Sequence, residues 1–90
     1  GKAPRSPQKL ALDRHTDRRD VTVRWEPVKG AQGYNVLWGI APDKLYSSWM
    51  VYGGNELEMK SLTIDQDYYF AVEAFNENGV SLPSETKYVE

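Results

Sequence analysis

The sequence predicts an all-β domain, a seven-stranded antiparallel β-sandwich, on three observations. From Asp67 to Gly79 the chain alternates strictly. Tyr68, Phe70, Val72 and Ala74 share one face at period two, Glu73 marks the other, and Asn78-Gly79 is expected to supply the positive φ angles of a tight hairpin. Further short alternating segments recur with turn residues between them at near-regular spacing. No stretch carries a convincing helical period, and a small barrel is the competing architecture.

Each strand can be placed in turn. Gly1 to Pro7, with Pro4 and Pro7 and no periodicity, reads as a linker, and the domain as residues 8–90. Lys9 to Asp13 alternates around Leu10 and Leu12, and a polar connection follows over Arg14 to Arg19. Val21, Val23 and Trp25 share a face opposite Thr22 and Arg24, in a strand stopped by Pro27. After a Gly-containing loop, Tyr34, Val36, Trp38 and Ile40 fall together. Ala41-Pro42-Asp43-Lys44 is a turn in which Pro42 pre-sets φ. Leu45 to Tyr52 is apolar on both faces, Gly53-Gly54 ends it, and Glu56 to Lys60 alternates Leu57 and Met59 with charges. Leu62 and Ile64 lead into the Tyr68 strand. Val80 to Tyr88 returns as a last strand interrupted by Pro83.

Ninety residues bury only roughly 60 to 65% of the surface that the unfolded chain exposes, so the core must be efficient. Three Trp, six Tyr and two Phe supply large apolar areas. Cysteine is absent, which excludes disulfides and thiolate metal sites. No apolar run approaches the ~18 residues of a membrane span. The net charge of −2 is uneven: residues 1–24 carry seven Lys or Arg against three Asp, and the remainder four against ten acidic residues. The basic residues are interrupted by Asp13, Asp17 and Asp20 and lack interleaved aromatics, a pattern of solvated loops rather than of nucleic-acid binding.

Trp25, Leu62, Tyr68, Ala74, Asn76, Gly79 and Ser84, taken together, resemble the pattern of a fibronectin type III domain over residues 9–89. The resemblance implies an immunoglobulin-like sandwich, with Trp25 in the core and Tyr68 forming a tyrosine corner whose hydroxyl bonds backbone upstream. Thr63, Ile64 and Asp65 depart from the Pro and Gly that often follow the Leu, and Asn76 to Ser84 contains no Arg-Gly-Asp. Integrin binding is therefore not carried over. The run Trp38 to Tyr46, with Asn55-Glu56-Leu57 and Tyr68 through Gly79, resembles more narrowly the module that follows the catalytic propeller in bacterial enzymes similar to glycoside hydrolase family 43. That implies a non-catalytic accessory module of a secreted, periplasmic or cell-surface bacterial enzyme, with the catalytic carboxylates in another domain.

Candidate sites are few. His15 lies among Asp13, Asp17 and Asp20, but the spacing fits no zinc or calcium loop and reads as a solvated loop. Glu56 and Glu58, or Asp65 and Asp67, sit two apart on exposed strands without a cleft, which suits solubility better than glycosidase chemistry. Neither a cofactor nor a catalytic group is indicated. The unusual feature is apolar residues on faces that should be wet: Leu37, Tyr69, Ala71 and Phe75, with Trp49 or Tyr52 added according to which side of their strand turns outward. A contiguous apolar patch of this kind usually marks an interaction surface. The expected partner is a neighbouring domain of the same chain, with polysaccharide stacking on Trp49 and Tyr52 as the alternative and a cell-surface adhesion module as a third reading.

Overall fold

Two antiparallel sheets face one another across a single core in the computed structural model, which describes residues 1–90. The strands are β1 (Ala11–Arg14), β2 (Val21–Arg24), β3 (Gly33–Gly39), β4 (Ser47–Tyr52), β5 (Glu56–Met59), β6 (Tyr68–Asn76), β7 (Gly79–Val80) and β8 (Lys87–Val89). One sheet has the order β1-β2-β5; the other runs β4-β3-β6-β7, with β8 also on β6. The predicted last strand is thus two pieces. Pro83 carries no N–H to donate between them.

The break between β7 and β8 is patched by side chains. Ser81 and Ser84 donate backbone N–H to the carbonyls of Ala74 and Val72, both at 2.7 Å. Their hydroxyls in turn accept the N–H groups of Ala74 and Val72, both at 2.9 Å. Each serine therefore pairs a residue of β6 with N–H and Oγ in place of N–H and C=O. This keeps the backbone of β6 satisfied where it is most deeply buried.

The alternation that predicts the strands also fills the core. Val21, Val23 and Trp25 from one sheet meet Tyr34, Val36, Phe70, Val72 and Ala74 from the other, with Leu10, Met59 and Leu62 closing the ends. Trp25 packs edge-on to Tyr34 at 5.1 Å. At the lower pole Tyr68 forms the corner the sequence implies, its hydroxyl oxygen accepting the N–H of Thr63 at 2.9 Å.

One expectation is corrected and two are given detail. The β6–β7 turn is centred on Glu77 and Asn78; Asn78 is not at positive φ, and only Gly79 is, at 141°. Asn76 organises the turn by accepting the Asn78 N–H on its side-chain oxygen at 2.8 Å, an Asx turn that removes the need for a left-handed pair. The segment read as a linker lies against the sandwich, with Pro4 and Pro7 buried, because an apolar ring without an N–H can be covered at no hydrogen-bonding loss. The loop after β1 is anchored as well as charged. Arg14 reaches from the end of β1 to the carbonyls of Arg18, Gln66 and Thr63 at 2.6, 3.1 and 3.0 Å, with its guanidinium 5.4 Å from the centre of the Tyr68 ring.

The molecule measures 44 × 25 × 18 Å. The carbonyl of Lys2 accepts from Asn76 Nδ2 at the pole of the β6–β7 turn, while that of Glu90 accepts from Arg18 at the opposite pole.

Candidate functional site

Partners across a ladder share a face, so the register assigns every side chain of the larger sheet. Tyr34, Val36 and Trp38 point inward with Tyr68, Phe70, Val72 and Ala74. The outer face consists of four rungs. Tyr52, Gly33, Phe75 and Val80 form the first; Met50, Asn35 and Glu73 the second; Ser48, Leu37 and Ala71 the third; and Gly39, Tyr69 and Tyr88 the fourth.

Both end rungs are aromatic. Gly33 leaves its position open, and the Phe75 ring lies across it: a Cβ added at Gly33 would stand 2.6 Å from Phe75 Cζ. Tyr52 then meets Phe75 edge-to-face at 5.7 Å. Tyr69 and Tyr88 pack at 5.3 Å on the fourth rung. The Tyr88 hydroxyl donates to Asp67 Oδ2 at 2.7 Å, and that carboxylate pushes the phenol pKa up to about 12. Between the ends the second rung is polar, with Asn35 Nδ2 donating to Glu73 Oε1 at 2.9 Å.

The structure thus brings together four of the six residues singled out from sequence: Leu37, Tyr52, Tyr69 and Phe75. Ala71 shares their face but presents nothing to a partner, being 0% exposed, because its short methyl sits in a row of longer side chains. Trp49 lies on the other face. Its partner is the core residue Val36, yet it remains 56% exposed because the opposite sheet ends at β5 and leaves β4 overhanging. There Trp49 borders an open groove of about 300 Å³ with Leu57, Met59, Lys60 and Ser61. Trp49 and Tyr52 therefore form no common stacking platform. Sequence reasoning left Met50 as one of two alternatives, on the same side of its strand as Tyr52, and missed Val80 and Tyr88, since their face depends on which neighbour each strand pairs with.

The remaining candidates are engaged elsewhere. A ring nitrogen of His15 bonds the Thr22 hydroxyl at 2.7 Å. Asp17 is held by Arg19 through two side-chain contacts of 3.0 and 2.9 Å, which draw its pKa down to about 2. Glu56 is ion-paired with Arg24 across β5 and β2. No group of three or more His, Cys, Asp or Glu converges as metal ligands would.

The model of the fibronectin type III domain family matches residues 5–90. The chain belongs to that family. Its two antiparallel sheets, β1-β2-β5 against β4-β3-β6 with the split last strand, form the sandwich of that family. Among solved structures, a fibronectin type III-like protein from Clostridium thermocellum superposes with a TM-score of 0.88 at 19% identity, covering 99% of this chain and 94% of that one. The FN1-FN3 domains of chicken CNTN1 give 0.81 at 25% identity over 97% of this chain and 30% of that one. The domain of human contactin 1 gives 0.81 at 23% over 99% and 79%. No curated protein matches. Fibronectin type III domains are generally non-catalytic, and the groups described here assemble no nucleophile, acid or base in a shared pocket.

Proposed function

We propose that this fibronectin type III domain is a docking module: the outer face of its larger sheet packs against a neighbouring domain of the same chain and fixes that domain's orientation and stability. The observation that carries the reading is the pair of aromatic clusters, Tyr52–Phe75 and Tyr69–Tyr88, at the two ends of one sheet face. Their rungs are six residues apart on β3, about 20 Å, so a partner seated on both is fixed in angle as well as in place. Side chains already packed in pairs lose little rotamer entropy when covered.

The resemblance of Trp38 to Tyr46 and of the β6 stretch to modules after glycosidase propellers supports the neighbour's identity as a secreted bacterial catalytic domain acting on polysaccharide. Carrying Tyr69→Ser with Phe75→Ser into the full-length protein tests the docking. Because Phe75 also covers Gly33 within the module, the readout is the neighbour's own thermal transition. It should fall by several degrees while the module stays folded. An unchanged transition of the neighbour would overturn the reading. Direct sugar binding rests on Trp49 alone, and a flat Trp fluorescence titration with xylan or arabinan fragments would remove it.

A further inference from the structure

The two sheets have four edges, and three of them are guarded. β1 has four residues and carries Asp13 and Arg14; β5 has four, with Glu56 and Glu58 and then Lys60. The β7–β8 edge is broken at Pro83. Short strands, charges and prolines are the usual means of keeping edges from pairing. The β4 edge has none of them. It runs six residues, and positions 45–55 carry no charged side chain.

The hydrogen-bond phase shows what this edge offers. Ala74 and Val72 turn their backbone groups toward Ser81 and Ser84, so the odd-numbered residues of β6 serve β3. Gly33, Asn35, Leu37 and Gly39 therefore bond to β6, while Tyr34, Val36 and Trp38 bond to Val51, Trp49 and Ser47. This leaves the N–H and C=O groups of Ser48, Met50 and Tyr52 facing outward from the sheet.

We infer that this edge pairs with the β4 edge of a second copy of the chain, antiparallel about a two-fold axis through Met50. Three free residues centred on Met50 are self-complementary. Ser48 of one copy bonds Tyr52 of the other, Met50 bonds its own equivalent, and about six hydrogen bonds close the seam. Side chains agree with that register on both faces. On the core side each Trp49 lies opposite Val51 of the second copy, an aromatic and β-branched pair that occurs twice. On the outer side the two Met50 side chains meet at the axis, flanked by Tyr52. Trp49, Met50 and Tyr52 are 56, 52 and 66% exposed in the single copy, and all three are covered in the pair. With no charge on the strand, nothing repels across the axis. A second copy is the occupant that brings the same uncharged edge, the same phase and the Trp49–Val51 match at once.

One strand per copy buries less than the ~1,200 Å² of a stable interface, so association is weak, with half-dissociation near ~0.1 to 1 mM. Sedimentation equilibrium from about 10 μM to about 1 mM should show the mass rising from 10.3 kDa toward twice that value. Met50→Lys and Met50→Glu each set like charges at the axis on an exposed position and should remain monomeric with unchanged melting. An equimolar mixture of the two should recover association, which a merely destabilised fold cannot do. Tyr69→Ser, on the docking face, should leave self-association intact, so this result and the docking test fail independently. A mass that stays at 10.3 kDa at the highest concentration overturns the inference, as does association of Met50→Lys alone equal to the parent's.

Discussion

Ser84→Ala should destabilise the domain more than Ser81→Ala, although the two hydroxyls make the same bond. Each accepts a β6 N–H at 2.9 Å, from Val72 and Ala74 respectively. Ser84 is buried and Ser81 only half-buried, so water can replace the second hydroxyl but not the first. Val72 and Ala74 are both 0% exposed, but the bond from Val72 to Ser84 is buried and its loss costs about 1 to 3 kcal/mol, whereas the bond from Ala74 to Ser81 is part-buried and contributes roughly 0.5 to 1 kcal/mol. In a domain of this size each kcal/mol moves the melting temperature about 4 to 8 °C. Thermal unfolding followed by circular dichroism should therefore place Ser84→Ala about 5 to 20 °C below the parent and Ser81→Ala less than half as far. Amide exchange at Val72 should accelerate in the first variant. Equal losses in the two, or a Ser84→Ala variant melting within about 2 °C of the parent, would refute the argument that burial sets the worth of these bonds.

Tyr68→Phe keeps the buried ring and deletes the acceptor of the Thr63 N–H, so chemical denaturation should show a loss of about 1 to 2 kcal/mol with an unchanged m-value. Tyr88 supplies a pH dependence. Its folded pKa of about 12 exceeds the ordinary 10.0 because Asp67 accepts a hydrogen bond from the neutral phenol, so its contribution is complete below pH 10 and fades as pH rises through 12. Phenolate absorbance of the parent minus that of Tyr88→Phe should titrate near pH 12, and Asp67→Asn should move that component back toward 10.0.

Much of the fold is legible because the core strands alternate cleanly: Val21, Val23 and Trp25, or Tyr68 to Ala74, state their own inner face. Leu45 to Tyr52 does not, being apolar on both sides, and only its register with β3 shows that Trp49 turns inward and Tyr52 outward. The outer surface is least legible for the same reason. Ala71 looks like Leu37 to a period-two reading, yet its exposure depends on the size of its neighbours. Arg14 gives no sign in sequence that it grips three carbonyls, since acceptors contributed by backbone leave no mark in residue identity. The serines around Pro83 are legible in hindsight only as chemistry: a proline break in a central strand pairing demands substitute acceptors nearby.

The placement of the two chain ends has a mechanical consequence. Lys2 sits beside Asn76 and Glu90 beside Arg18, at opposite poles of a body 44 Å long. A pull between those two points would run from one end of β6 toward the other and load the β1–β2 and β6–β8 ladders in shear, so that several bonds resist together instead of peeling one at a time.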